Sequence, residues 1–296
     1  MAGSGDASRA ASVAESPTVI FLHIGKTAGT TLRRVLRRNF PSADVMVVRA
    51  RGRPRTETLT DFARLPEAER ARPRLIMGHT VFGLHELVPR PSTYVSMVRR
   101  PKNLVLSQYT FVQRTPGHRH HEEVVGREMS LEDYIESGLA LEMDNSQTRA
   151  IAGDLDTPYG ACTDEMLERA KRNVEGHFAA VGVTERFDES LVLMQHAFGW
   201  RKISYVRANV APGKRPEPSE RALRLIAEHN RLDDELYRWV CDRFETAIAA
   251  DPGFAAARER FERANARYRP WGNVTYTFPQ RMYSRLRERG IVARKV

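Results

Sequence analysis

TVIFLHIGKTAGTTLRRVLRRNF, residues 18–40, is the stretch from which the rest of this chain is read. Residues 18–23 form a short apolar run rich in β-branched and aromatic side chains, the pattern of a strand buried on both faces. Residues 25–31 are small and polar, after which Leu32, Val35 and Leu36 recur at helical spacing. Strand, tight loop and helix in that order gather backbone N–H groups at a helix N-terminus. There the unpaired amides and the helix dipole favour an anion. Lys26 adds a mobile positive charge, and Thr27, Thr30 and Thr31 add hydroxyls to a turn completed by Ala28 and Gly29. A Walker A loop is excluded, because its lysine follows the second glycine of GxxxxGK[ST], whereas Lys26 precedes Gly29. A lysine placed this early lies over the loop, within reach of an anion held there.

Outward from that stretch, apolar runs at 45–48, 74–77, 93–98, 179–183 and 203–206 read as further strands. Helical patterns lie between them, at 57–65, from Pro101 to Val112, and near 130–137, 144–152, 163–176 and 188–198. Residues 115–123 read as a mobile polar loop, and residues 211–219, rich in Pro, Gly and charge, as another loop. One long amphipathic helix is expected next, with Leu225, Leu232, Leu236, Val240 and Phe244 on a single stripe. Strands alternating with helices predict an α/β fold with a mostly parallel central sheet flanked by helices on both faces. The expected organisation is a flexible tail at 1–17, an α/β domain at 18–250 and a basic helical extension at 251–296.

The strands at 74–77 and 93–98 each run into polar residues, Gly78-His79 and Arg99-Arg100. In open parallel sheets ligands bind outside such carboxyl ends. Pro101 suits the first turn of a helix, and Ser107 lies about 9 Å further along it at roughly 1.5 Å per residue. A phosphate beside that helix start is within reach of a bidentate grip from Arg99 and a hydroxyl from Ser107.

The chain has 296 residues, enough for one large domain, with 47 Lys and Arg against 37 Asp and Glu, a formal charge of +10. That excess attracts polyanions without choosing among them. No basic motif interleaved with aromatics and no zinc-finger spacing is present, which argues against nucleic-acid binding. Two cysteines, Cys162 and Cys241, make neither a disulfide framework nor a metal pattern, and read as thiols in a reducing compartment. No run approaches the ~18 apolar residues of a membrane span. A soluble cytoplasmic protein is therefore the expectation.

These motifs resemble the sulfotransferases of the P-loop-like fold, in the branch that includes heparan sulfate 2-O-sulfotransferase and related bacterial enzymes. The family's HIPKTGGTSL reads HIGKTAGTTL here, and its RDPxxRxxSxY reads Arg99-Arg100-Pro101 through Ser107 and Tyr109. Asp144 to Arg149 resembles its DNxQTR segment, Val181 to Phe187 its VGVTERF segment, and Asn230 to Tyr237 its NxxDxxLY helix. The likeness implies a sulfuryl donor, PAPS (3′-phosphoadenosine 5′-phosphosulfate), a product PAP, and no metal. By it, Lys26 neutralises the leaving 5′-phosphate, and Thr27, Ala28, Gly29, Thr30 and Thr31 hold the phosphosulfate. Arg99 and Ser107 take the 3′-phosphate, and Lys214 and Arg215 lie in a basic loop that closes over the nucleotide. His79, in Met77-Gly78-His79, resembles the last residue of the family's HGH segment and is the expected general base. A neutral imidazole with an ordinary pKa near 6.5 suits that task. The chain departs from the family at Gly25, Ala28, Met77, Arg100 and Leu104. His85, Glu86 and Asp144 are reserve bases.

The acceptor implied by the resemblance is a hydroxyl on a glycan or glycolipid. Two other functions are weighed. A small-molecule kinase needs a Walker-type lysine and an Asp for Mg²⁺ in places this sequence does not fill. A non-catalytic binder of acidic glycans needs only the basic surface. The cluster His118, His120, His121, Glu122 and Glu123 reads as a solvated rim of the acceptor cleft, with metal binding as the alternative. The basic stretch 280–289 reads as a packed helix, with peripheral membrane contact as the alternative.

Overall fold

In the computed structural model, which describes residues 16–48, 57–207, 217–272 and 274, the opening run forms β1 (Thr18–Leu22), every residue of it buried. Around it lie β2 (Val45–Val48), β3 (Leu75–Gly78), β4 (Ser92–Val98) and β5 (Phe178–Val183). All four pairings are parallel and the order across the sheet is β2-β3-β1-β4-β5. Because the chain builds one side of β1 and then crosses to the other, the order reverses between β1 and β4. A crevice opens outside the carboxyl ends of strands at such a point. Both phosphate-type loops read from the sequence begin there.

Alternate residues of each strand feed two cores. Ile20, Leu22, Ile76, Tyr94 and Val98 pack under α7 (Ser146–Ala152), α8 (Asp164–His177) and α11 (Arg231–Ala249). Val19, Phe21, Leu75, Met77, Val95 and Met97 pack under α1 (Gly29–Arg37), α9 (Phe187–Phe198) and α12 (Phe254–Gly272). Thus α12, which opens the stretch read as a C-terminal extension, buries Phe254, Ala257 and Phe261 in the same core as the strands. A smaller helical cluster joins α4 (Pro101–Arg114), α5 (His121–Gly126), α6 (Leu131–Glu136) and α10 (Glu220–His229) through Val105, Val124, Ile135 and Ile226. Two short helices, α2 (Glu57–Ala63) and α3 (Glu67–Ala71), precede β3.

Three local expectations are corrected. Residues 203–206 form no strand. Ile203, Tyr205 and Val206 are buried, but the backbone pairs with side chains: Asn265 Oδ1 accepts from the Tyr205 N–H at 2.7 Å, and Arg38 donates to the Lys202 and Ser204 carbonyls. The single long helix is two helices broken at Asn230, whose amide donates to the Met143 carbonyl at 2.9 Å and accepts from the Asn145 N–H at 3.2 Å. The polar loop at 115–123 ends in helix, since α5 begins at His121. Residues 1–15, Lys214, Arg215 and the stretch 280–289 lie outside the described residues.

Candidate functional site

Between β1 and α1 the backbone takes positive φ at Lys26 (64°) and at Ala28 (60°), the residue that caps α1. Left-handed residues alternating in this way turn successive N–H groups into one concavity. Thr27 is fully buried and its hydroxyl donates to the Ile24 carbonyl at 2.9 Å, so the side chain braces the loop and only its backbone N–H is left for the cradle. Gly29, the first helical residue, has no room for a side chain. A Cβ there would stand 2.0 Å from both Cδ2 and Nε2 of the buried His23 ring. Thr31 is buried and Thr30 half-exposed at the helix start.

The second loop is fastened to the first. The Arg99 guanidinium donates to the Lys26 carbonyl at 2.9 Å, which brings the ends of β1 and β4 into one site. Arg99 is itself held by its backbone: its N–H donates to Gln147 Oε1 at 2.7 Å, and Gln147 Nε2 donates to its carbonyl at 2.9 Å. Gln147 is fixed in turn by a reciprocal arrangement of caps. The Asp233 carboxylate accepts from the Gln147 and Thr148 N–H groups at the start of α7, while Asn145 Oδ1 accepts from the Leu232 and Asp233 N–H groups at the start of α11. Two of the segments read as family signatures, 144–149 and 230–237, therefore form a buried latch that sets the position of Arg99.

Ser107 is buried on α4, and Phe111 lies one turn further on the same stripe. Lys26 Nζ stands 3.8 Å from the centre of the Phe111 ring, a cation–π contact that draws the ammonium towards that stripe. His118 meets Phe111 edge to face at 5.6 Å. Burial lowers the His118 pKa first, and His120, Arg119 and Lys26 lower it further. The histidine-rich segment thus borders the lysine of the cradle. Among the described residues no group of three or more His, Cys, Asp or Glu side chains converges as a metal site.

A carboxylate that sequence reasoning missed also sits at this edge. Glu185, just after β5, accepts from the Arg100 N–H at the start of α4 (3.2 Å) and from Asn103 (3.0 Å), and lies 3.9 Å from Arg99 Nε. It neutralises the positive end of that helix, which the sequence alone offers to a phosphate.

His79 is exposed just beyond β3, and its ring stacks on His23 with centres 4.5 Å apart. Two of the reserve bases are employed elsewhere, while Glu86 is exposed. His85 Nδ1 lies 3.1 Å from the Tyr94 hydroxyl, beside a residue that packs on the opposite face of the sheet. Asp144 forms a fully buried ion pair with Arg149 and accepts from the Gly160 N–H. Burial, and then Asp144, pushes the Cys162 thiol up to about 12, so it is no nucleophile.

Residues 2–271 match the family model described as galactose-3-O-sulfotransferase. Galactose-3-O-sulfotransferase 3 of Bos taurus is 28% identical over 270 residues, covering 85% of this chain, which in turn spans 62% of that relative's length. Uronyl 2-sulfotransferase of Homo sapiens is 26% identical over 181 residues, covering 51% of this chain and 42% of its own. Among solved structures, mouse sulfotransferase SULT7A1 complexed with PAP aligns with a TM-score of 0.38 at 13% identity, over 83% of this chain and 89% of that one.

Proposed function

This chain belongs to the galactose-3-O-sulfotransferase family, and from that premise we propose that it transfers a sulfuryl group from PAPS to a carbohydrate hydroxyl. The observation that carries the reading is the Arg99–Lys26 hydrogen bond, which unites two anion-binding loops at the carboxyl edge of the sheet. The residues present fit the donor. The left-handed turn at Lys26 and Ala28, with a Gly29 whose missing Cβ makes room for the His23 ring, suits the 5′ end, and the proposal gives the 3′-phosphate to Arg99 and Ser107. Lys214 and Arg215 complete the nucleotide contacts in this proposal.

Bound PAPS supplies an activated sulfuryl group, whose bond to the 5′-phosphate oxygen breaks as the acceptor oxygen bonds to sulfur. Lys26 and the cradle amides offset the negative charge that gathers on the departing phosphate, as preorganised donors do in phosphoryl transfer. His79 accepts the acceptor's proton from the opposite side. Phe111 and the segment 115–123 border the place where the acceptor enters, beside Lys26. The galactose 3-hydroxyl is the first acceptor to try and a uronic acid 2-hydroxyl the second, following the names of the relatives. Both cysteines are free thiols, which supports a reducing, cytoplasmic compartment as part of the same proposal. Among the described residues no helix is long and apolar enough to cross a membrane.

Two measurements test the reading. Calorimetry is expected to show PAP bound in preference to ADP with Mg²⁺; the reverse preference would indicate a kinase. Radiolabelled PAPS is expected to label terminal galactosides, with Lys26→Ala and His79→Ala each slowing turnover about a hundredfold while the fold survives. Label transfer by either variant at the parent rate would overturn its assigned role.

A further inference from the structure

We infer that His23 is a positioning residue that ties the anion cradle to the base, an inference resting on the reading of His79 given above. The register of the sheet makes the pair. β1 and β3 run parallel with Leu22 opposite Gly78 as their last partners, so the next residues out, His23 and His79, are neighbours across about 4.8 Å of strand spacing. Their rings stack at 4.5 Å with planes 26° apart. The two imidazoles differ in setting. His23 is 7% exposed and rests against Phe21 with ring centres 5.2 Å apart, whereas His79 faces solvent.

The edge of the His23 ring does a second job. It occupies the space that a Cβ on Gly29 would need, at 2.0 Å from two of its atoms. One buried imidazole therefore touches the first helical residue of the cradle and the face of the candidate base. An exposed histidine on its own samples several side-chain rotamers. A flat, immobile neighbour confines it to the stacked orientation, and holding a catalytic group in line is worth orders of magnitude in rate. The cradle and the base are thereby set at a fixed distance by a side chain that itself touches no reacting atom.

The experiment compares His23→Leu with His23→Phe, measuring kcat, acceptor KM, PAP affinity and thermal midpoint for each. Leucine fills space without a flat ring, and its kcat is expected to fall about tenfold, with acceptor KM and PAP affinity within about twofold of the parent. Phenylalanine keeps the stacking surface and is expected to restore kcat. Parent-like kcat in His23→Leu, measured beside a disabled His79→Ala, overturns this inference alone. If His79→Ala also turns over normally, the base assignment fails and takes this inference with it; if the parent does not bind PAP, the donor reading fails.

The steric half has a readout independent of activity. Gly29→Ala is expected to lower the thermal midpoint in the parent but not in a His23→Ala background, where the ring is gone. An equal loss in both backgrounds would overturn the contact. Should His23→Leu fail to fold, histidine-labelled NMR of the parent decides: cross-peaks between the His23 and His79 ring protons are expected, and their absence overturns the stack.

Discussion

Gln147 has no chemistry of its own, yet both of its amide atoms are committed to the backbone of Arg99. A buried amide used in this way sets where a neighbouring charge points. Gln147→Ala would leave the Arg99 N–H and carbonyl without these partners. Each lost hydrogen bond costs on the order of 1 kcal/mol, so PAP affinity is expected to drop about tenfold, read by calorimetry, with a thermal midpoint lower by only a few degrees. Unchanged PAP affinity would remove Arg99 from the nucleotide site. At this scale the sequence named Lys26, Gly29, Arg99 and Ser107 from spacing and residue type, and His79 by its resemblance to the family's HGH segment. It could not name His23, Gln147 or Glu185, because each acquires its role from a partner on another strand or helix. His23 did carry a signal: two histidines, each at the end of an apolar run, become neighbours once those runs are paired in parallel.

Helix ends supply the second scale. α7 and α11 cap one another, Asp233 serving the second and third amides of α7 and Asn145 the same positions of α11. Burial raises the Asp233 pKa, while its hydrogen bonds to Thr148 and Gln147 oppose that rise. Removing the carboxylate strands two buried amides and the Thr148 hydroxyl, which donates to it at 2.8 Å. Asp233→Ala is therefore expected to destabilise the fold by about 3 kcal/mol, and Asn145→Ala by about 1–2 kcal/mol. In the double variant the two losses should fall short of their sum, because each cap holds the helix that carries the other. Urea titrations of the four proteins measure this, and strict additivity would show two independent caps. Periodicity located both helices. The break at Asn230 was hidden because the apolar stripe continues across it, and the asparagine's hydrogen bonds to Met143, Asn145 and Ile226 end the first helix.

Across the whole molecule, the parallel sheet with covered faces is what alternating apolar runs and amphipathic helices require. The same burial predicts an acid sensitivity. His85, His118 and His120 all have pKa values lowered first of all by burial. Below an ordinary imidazole pKa near 6.5, the unfolded chain therefore binds more protons than the folded one, so stability rises with pH through this window and falls as pH drops below it. The urea midpoint is expected to be lower at pH 5.5 than at pH 7.5, and His85→Phe should narrow the gap. An equal gap in that variant would place the acid sensitivity elsewhere.

What the sequence alone determined is local: a strand, a tight turn and a helix are written within some twenty consecutive residues, where hydrophobic period and turn chemistry act without help from the rest of the chain. What the tertiary structure alone decided is pairing. Arg99 meets Gln147 across 48 residues, and Arg100 meets Glu185 across 85. Strand order and register fix such meetings, and no local pattern encodes either, because both come from how the two faces of one sheet are buried together.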